Sequence, residues 1–164
     1  MTKEPHWLPP MLTLSGTWDK IVSDLYGIFE KDFKQGKPKF QHYMVWWDQR
    51  VLYGQRFEEG FWHLISRDDK NSGERIPDFR RAERLPWCAP VIVNSDDRAI
   101  KVWDYQESRG QIHTYIWLEN RDYCVILRKL KLNSLAAAML LTAFHVDGPS
   151  RRRSLRTKLR KKVA

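Results

Sequence analysis

The chain has 164 residues, with 29 Lys and Arg against 20 Asp and Glu, and its formal net charge is +9. This length predicts a single domain, and 13% aromatic residues exclude a disordered body, because buried rings offset the ordering entropy of the chain. No apolar run is long enough to span a bilayer and no signal peptide is recognisable at the N-terminus, so we expect a cytoplasmic protein without membrane association.

Residues 1–16 are predicted to form a flexible N-terminal arm, because three prolines and a glycine interrupt any regular element. From residue 17 to residue 33, apolar residues recur every three or four positions, which predicts an amphipathic helix. The Gly-Lys-Pro sequence at 36–38 ends this helix.

The pattern then changes to aromatic and β-branched residues, which predicts strands at 40–53 and 57–66. The polar segment 67–75 is predicted to be a loop. A short helix is expected at 77–85, with a proline in its first turn and Pro86 after its end.

The second half of the chain is typical of an antiparallel meander, because turn residues separate four apolar segments. The predicted strands are 99–106, 111–119, 122–131 and 138–146. A basic helix follows at 151–164, and Ser150 could cap it. The sequence therefore predicts an α+β domain at 17–150, in which N-terminal helices pack on a central antiparallel sheet and a basic helical tail follows.

Several kinds of chemistry lack their sequence motifs. The five histidines have no metal-ligand spacing, and no phosphate-binding glycine loop or serine-hydrolase motif is present, so we expect neither a metal nor a cofactor. Cys88 and Cys124 have no CxxC partner and are predicted to be reduced and buried.

Polar side chains within apolar segments are the first candidates for function. His63 lies between Trp62 and Leu64, and strict alternation along 138–146 places Thr142 on one face with Leu140 and His145 on the opposite face. Such groups need a hydrogen-bond partner or a water-filled cleft. A hydrogen-bonded core Thr and a His satisfied within the sheet are the alternative interpretations.

Arginines in the segment 78–84 are the second group of candidates. Arg80 and Arg84 are one helical turn apart and could hold a phosphate together, with Arg81 offset by about 100°. The alternative is a solvated helix face on which Asp78 and Glu83 pair with these arginines.

The order of these residues resembles a known group of nucleases. His63 comes first, the arginines follow, and Thr142-Ala143-Phe144 ends the last strand. This resembles the nuclease domains grouped with barnase, EndoU, colicins D and E5 and RelE (the BECR superfamily), especially their phage-associated branch. The resemblance covers roughly residues 57–155 and implies that His63 is catalytic. Phe144 departs from the Tyr that is usual at its position.

The resemblance implies a toxin-like ribonuclease in which the ribose 2′-hydroxyl attacks the adjacent phosphate to give a 2′,3′-cyclic phosphate. Such a reaction needs a base, an acid and a cation near phosphorus. His63 would transfer a proton, Arg80 or Arg84 would bind the phosphate, and Thr142 would hydrogen-bond it. His145 and Tyr115 are the alternative proton-transfer residues. DNA lacks the 2′-hydroxyl, so the substrate would be RNA.

The tail predicts affinity for nucleic acid. Residues 151–162 contain eight cations and no acid, and the rest of the chain has 21 cations against 20 anions. The residues expected to bind nucleic acid are Arg81, Arg151, Arg152, Arg153, Arg156, Lys158 and Arg160. A second hypothesis is therefore a non-catalytic nucleic-acid-binding protein. A third is an interaction protein with an acidic partner, and a toxin would also have one, namely an antitoxin or immunity protein.

Overall fold

The computed structural model describes residues 4–163. Its α-helices are α1 (Trp18–Phe29), α2 (Glu59–Ile65), α3 (Phe79–Glu83), α4 (Leu85–Val93) and α5 (Gly148–Arg160). Its strands are β1 (Lys39–Phe40), β2 (Tyr43–Trp47), β3 (Ser66–Asp68), β4 (Arg75–Pro77), β5 (Ile100–Gln106), β6 (Ile112–Leu118), β7 (Tyr123–Leu132) and β8 (Leu135–His145). The predicted α+β class is confirmed.

Six strands form one sheet in the order β1-β2-β8-β7-β6-β5, and β3 pairs with β4 in a separate hairpin. Strands β5 to β8 form the predicted antiparallel meander. The expectation of an antiparallel sheet is wrong at one place, because β2 runs parallel to β8 from the Met44–Ala137 pair to the Trp47–Leu140 pair. A long connection that contains α2, α3 and α4 separates β2 from β8 in sequence, and such a connection permits the parallel arrangement.

The sheet has a hydrophobic core on each face. The first core contains apolar residues of α1, α2, α3 and α4, and its largest side chains include Phe29 and Phe61. The second core lies between the sheet and α5, where Leu155 covers Trp103 and Trp117. The two cores fix α3 and α5 around the end of β8, where the candidate site lies.

The predicted N-terminal helix is present as α1, and its buried residues follow the predicted spacing. The side chain of Thr17 caps it by accepting a hydrogen bond from the backbone N–H of Lys20 at 3.3 Å. The helix continues as a π-helix over Glu30–Gln35, in which Phe33 is buried.

The strand predicted at 57–66 is wrong, because this segment forms α2. Phe61, Leu64 and Ile65 are all buried, and their i, i+3, i+4 spacing is helical. Gly60 allows α2 to approach β2 closely, since a Cβ at this position would lie 2.7 Å from the Cβ of Trp47. The strand predicted at 40–53 is confirmed only over β1 and β2.

The segment 66–93 also differs from expectation. The loop predicted at 67–75 is present over 69–74, while residues 67 and 68 belong to β3 and residue 75 belongs to β4. The short helix begins later than predicted, because Asp78 caps α3 by accepting from the backbone N–H of Arg81 at 3.1 Å. Pro86 does not stop a helix but lies in the first turn of α4, where its missing N–H costs little.

The predicted basic helix is present as α5, but it begins at Gly148 after Asp147, so Ser150 lies inside the helix and does not cap it. The described part of the predicted flexible arm, residues 4–16, contains no helix or strand but is held against the domain. Leu8 is buried, and the indole nitrogen of Trp87 donates to the carbonyl oxygen of Pro9 at 2.7 Å. Over residues 4–163, no helix combines the length and apolarity that crossing a membrane requires.

A β-bulge interrupts the alternation along β8. Leu140 pairs with Leu127 and Thr142 pairs with Ile126, so Leu141 is the extra residue. Leu140 and Ala143 therefore both face the first core, although strict alternation placed them on opposite faces. The bulge directs His145 to the face of the sheet that carries α3 and α4.

Candidate active site

A basic pocket of ≈ 470 Å³ lies where the end of β8 meets the β3–β4 hairpin, α3 and the start of α5. Both predicted and unpredicted residues line it. They are Arg67, Lys70, Asp78, Arg80, Arg81, Phe144, His145, Asp147 and Arg151.

The charge of the basic pocket is unbalanced, since five cationic side chains face two carboxylates. Asp78 is engaged by Arg81 at 3.2 Å and by Arg67 at 3.8 Å. Within the described residues, Lys70, Arg80 and Arg151 have no ion-pair partner, and all three are exposed. An anion entering the pocket would therefore meet three unpaired cations.

Arg81 was expected to bind nucleic acid, but it mainly holds the wall of the pocket together. Its Nη1 donates to the carbonyl oxygens of His63 at 3.0 Å and Ser66 at 2.9 Å and to Oγ1 of Thr142 at 3.1 Å. Its guanidinium also lies 6.0 Å from the ring centroid of Phe144. These contacts join α2, β3, α3 and β8.

Thr142 is part of the same network. Besides accepting from Arg81, its hydroxyl donates to the carbonyl oxygen of His63 at 3.2 Å. A hydroxyl has one donor, and here the protein uses it. The side chain of Thr142 thus corresponds to the alternative interpretation, a Thr whose hydroxyl is hydrogen-bonded within the protein.

His145 is the predicted histidine that lines the basic pocket. Burial lowers the pKa of its imidazole, and the positive charges of Arg84 and Arg80 lower it further. Its Nδ1 is buried without a hydrogen-bond partner among the described residues. The lowered pKa favours the neutral imidazole, the form that accepts a proton.

Arg80 and Arg84 do not form the predicted pair on one helix face. Helix α3 ends at Glu83, and Arg84 turns inward, where it is 8% exposed and donates to the carbonyl oxygen of Arg80 at 3.0 Å. Its guanidinium lies over Trp87, with 5.5 Å to the ring centroid. Arg80 alone of the pair lines the pocket.

His63 does not line the basic pocket, although its carbonyl oxygen anchors Arg81 and Thr142. His63 lies on α2 and not on the predicted strand. Its Nδ1 lies 3.4 Å from Nη1 of Arg75. Burial and the charge of Arg75 lower the pKa of His63. Of these two histidines, it is His145 whose side chain lines the basic pocket.

Tyr115 belongs to the second core, on the α5 side of the sheet, and is 2% exposed. Its hydroxyl donates to Glu107 and accepts from Nζ of Lys158 at 2.8 Å. Burial and the carboxylate of Glu107 raise the pKa of Tyr115 strongly. Tyr115 thus does not reach the basic pocket, while Phe144 and Arg151 line both this pocket and the groove beside Tyr115.

Part of the positive charge of α5 is neutralised by the domain. Arg152 pairs with Asp122 through two nitrogens, since Nε donates to Oδ1 at 3.1 Å and Nη2 donates to Oδ2 at 2.7 Å. Arg156 lies 3.5 Å from Glu119, and Lys158 lies 3.6 Å from Glu107. Arg153 and Arg160 are exposed and have no ion pair within the described residues. The cations expected to bind nucleic acid thus fall into paired and unpaired sets.

Sequence reasoning missed Arg67, Lys70 and Asp147. The first two lie in the segment predicted to be a loop. Alternation along β3 was the available signal for Arg67, whereas Lys70 lies in the turn of the hairpin. Asp147 directly follows β8 and precedes α5, so its position depends on both elements.

The described residues contain no group of three or more His, Cys, Asp or Glu side chains that could hold a metal ion. Cys88 and Cys124 are free and buried, as predicted, and burial raises the pKa of the Cys88 thiol to about 12. Comparison of the chain with protein-family models, curated proteins and solved structures finds no match in any of the three.

Proposed function

We propose that the protein is a metal-independent endoribonuclease in which the basic pocket binds the scissile phosphate of RNA and His145 accepts the proton of the attacking 2′-hydroxyl. One observation carries the proposal: the imidazole of His145 lines the same pocket as Lys70, Arg80 and Arg151, three cations without a carboxylate partner among the described residues. The phosphodiester of RNA carries the negative charge that these cations would bind, and its adjacent 2′-hydroxyl carries the proton that the imidazole would accept.

The reaction requires one bond to form and one to break. The 2′-oxygen bonds to phosphorus, its proton passes to the neutral imidazole of His145, and the bond from phosphorus to the 5′-oxygen breaks. The imidazolium so formed is a proton donor for the departing 5′-oxygen. Arg80 and Arg151 would stabilise the charge that develops on the non-bridging oxygens.

The test is incubation of purified protein with tRNA, rRNA and mRNA in excess EDTA, followed by gel analysis and detection of cyclic phosphate ends. We expect cleavage by the wild type and by His42→Ala, a control variant of an exposed histidine that does not line the pocket. We expect little or none by His145→Ala. Intact RNA in every wild-type reaction would overturn the proposal.

A second candidate is a non-catalytic nucleic-acid-binding protein, and one observation favours it. Only one imidazole, that of His145, is among the described residues lining the pocket, whereas general acid–base catalysis commonly uses two groups. Tight, salt-sensitive RNA binding without cleavage would support this candidate. An acidic inhibitor, such as an antitoxin or immunity protein, would fit the same positive charge and would compete with RNA for it.

A further inference from the structure

An aromatic cleft of ≈ 480 Å³ lies on the other side of the β3–β4 hairpin from the basic pocket. A cavity of this size accommodates a small planar ligand. The residues that matter for its chemistry are Trp18, Tyr53, Glu59, Trp62 and Arg75.

The aromatic rings of the cleft differ in how firmly they are held. The indole nitrogen of Trp62 donates to the carbonyl oxygen of Phe57 at 3.0 Å, and Trp18 packs edge to face on Phe79 at 5.5 Å between centroids. Tyr53 is fully exposed, and Leu52 beside it is 46% exposed. Two fixed rings and one free ring thus surround the opening of the cleft.

A charged pair lies among these rings. Glu59 is 8% exposed, and its Oε1 lies 3.4 Å from Nη2 of Arg75. Nη1 of Arg75 lies 3.4 Å from both Oγ of Ser66 and Nδ1 of His63. All three distances exceed those of strong hydrogen bonds, so the guanidinium and the carboxylate retain capacity to bind a polar ligand edge.

The aromatic cleft and the basic pocket share one wall. Ser66 and Asp68 of β3 line the cleft, whereas Arg67 between them lines the basic pocket, because successive side chains of a strand point to opposite faces. A flexible polymer bound in the pocket could therefore place a neighbouring unit in the cleft by passing over a single two-stranded ribbon.

We infer that the aromatic cleft binds an unpaired nucleobase of the RNA strand whose phosphate the basic pocket binds, an inference that rests on the proposed function. Stacking needs flat apolar faces, which Trp18, Trp62 and Tyr53 provide, and it is tolerant of base identity. The edge of a nucleobase carries hydrogen-bond donors and acceptors. The carboxylate of Glu59 offers an acceptor, and the guanidinium of Arg75 offers donors. An apolar ligand would leave this charged pair without a function.

The experiment compares two short 2′-O-methyl oligonucleotides, which lack the attacking hydroxyl and so are not consumed. One carries bases and the other has abasic residues at its internal positions, so that both present the same phosphates. Fluorescence anisotropy gives the dissociation constant of each. We expect the oligonucleotide with bases to bind about ten-fold or more tightly than the abasic one.

Two variants assign this difference to the cleft. Tyr53→Ala changes a fully exposed side chain, so the fold is expected to persist, and it should reduce the gain due to bases while leaving abasic binding unchanged. Tyr53→Phe should restore the gain because it keeps the ring. Leu135→Ala is the control, since Leu135 is 61% exposed and does not line the cleft.

Equal affinities of the wild type for the two oligonucleotides would overturn the inference, and so would a Tyr53→Ala protein with the full gain due to bases. Neither result depends on cleavage. Base-dependent binding to the cleft by a protein that leaves RNA intact would support the inference and refute the proposed catalysis.

Discussion

Nη1 of Arg81 donates a hydrogen bond to Oγ1 of Thr142 at 3.1 Å, although the two residues are 61 positions apart in the chain. The same nitrogen also bonds the carbonyl oxygens of His63 and Ser66. One side chain thus provides a hydrogen-bond donor to a backbone carbonyl in the last turn of α2 and to another at the start of β3. This arrangement makes Arg81 a positioning residue of the basic pocket.

Arg81→Ala is expected to lower the free energy of unfolding by about 3 kcal/mol, because it removes the hydrogen bonds to the carbonyl oxygens of His63 and Ser66 and to Thr142, of which only the His63 carbonyl keeps another side-chain donor. Arg80→Ala is the matched control, since Arg80 is an exposed arginine next in sequence. It should change stability by less than about 0.5 kcal/mol but weaken RNA binding. Urea denaturation measures both variants. Equal stability of the two proteins would contradict the structural role of Arg81.

Thr142→Val is expected to destabilise the protein by about 1–2 kcal/mol, because Arg81 loses an acceptor and the His63 carbonyl loses a donor. Thr142→Ser keeps the hydroxyl and should stay near the wild type. Single-turnover cleavage by Thr142→Val should remain within a few-fold of the wild-type rate. A loss of about 10²-fold in that rate would return Thr142 to the role predicted from the sequence, that of a phosphate ligand.

His145→Ala should slow RNA cleavage by about 10²- to 10⁴-fold, because it removes the proton acceptor of the basic pocket. His63→Ala should slow the chemical step far less, since the His63 ring does not line this pocket. Single-turnover rates at saturating RNA compare the two, and circular dichroism checks that both fold. The opposite ranking would show that the catalytic histidine is the one that the family resemblance implied.

The pH dependence of cleavage should reflect the lowered pKa of His145. The base acts when deprotonated, so kcat/KM should fall as pH decreases through this pKa, with a midpoint below the ordinary value of 6.5. Arg80→Gln removes a nearby positive charge, so the pKa should rise and the midpoint should move to higher pH. Arg153→Gln removes the same charge from an exposed position of α5 and should leave the midpoint of the pH dependence unchanged.

An NMR titration of the His145 imidazole in the free protein measures the same pKa without substrate. It separates the effect of Arg80 on the proton from its effect on RNA binding. A His145 pKa at or above 6.5 in the wild type would contradict the prediction.

Two double variants of α5 test which cations bind RNA. Arg151→Gln with Arg153→Gln removes unpaired cations and should flatten the dependence of log affinity on log salt, by ~0.7 for each phosphate that the protein no longer neutralises. Arg152→Gln with Arg156→Gln removes the same charge but breaks pairs with Asp122 and Glu119. It should lower Tm and change the salt slope less. Identical salt slopes of the two double variants would show that ion pairing within the protein does not prevent Arg152 and Arg156 from binding phosphates.

Local sequence patterns determined much of this fold. The meander β5–β8 and helices α1 and α5 were predictable, because each has one apolar face whose period is visible within a single segment. In α5, this apolar face includes Leu155, which belongs to the second core, and Leu159, which packs against it. The sequence also supplied His145 and Arg80 as candidates.

Tertiary structure alone decided which of the candidates meet. The segment 57–66 is rich in aromatic residues, so its composition fits a strand as well as a helix. In the fold it forms α2, in which Gly60 packs against Trp47. The bulge at Leu141 in β8 depends on the register with β7, which local alternation does not encode.

Whether a cation is ion-paired is likewise decided by the tertiary structure. The sequence shows that residues 151–162 are basic, but whether a cation is free depends on acids far away in the chain, as in the Arg152–Asp122 pair. Likewise, Arg81 is one of several similar arginines until the fold brings it to Thr142 and the His63 carbonyl. Periodicity is a property of neighbours in sequence, whereas hydrogen bonds and ion pairs between distant segments exist only once the chain has folded.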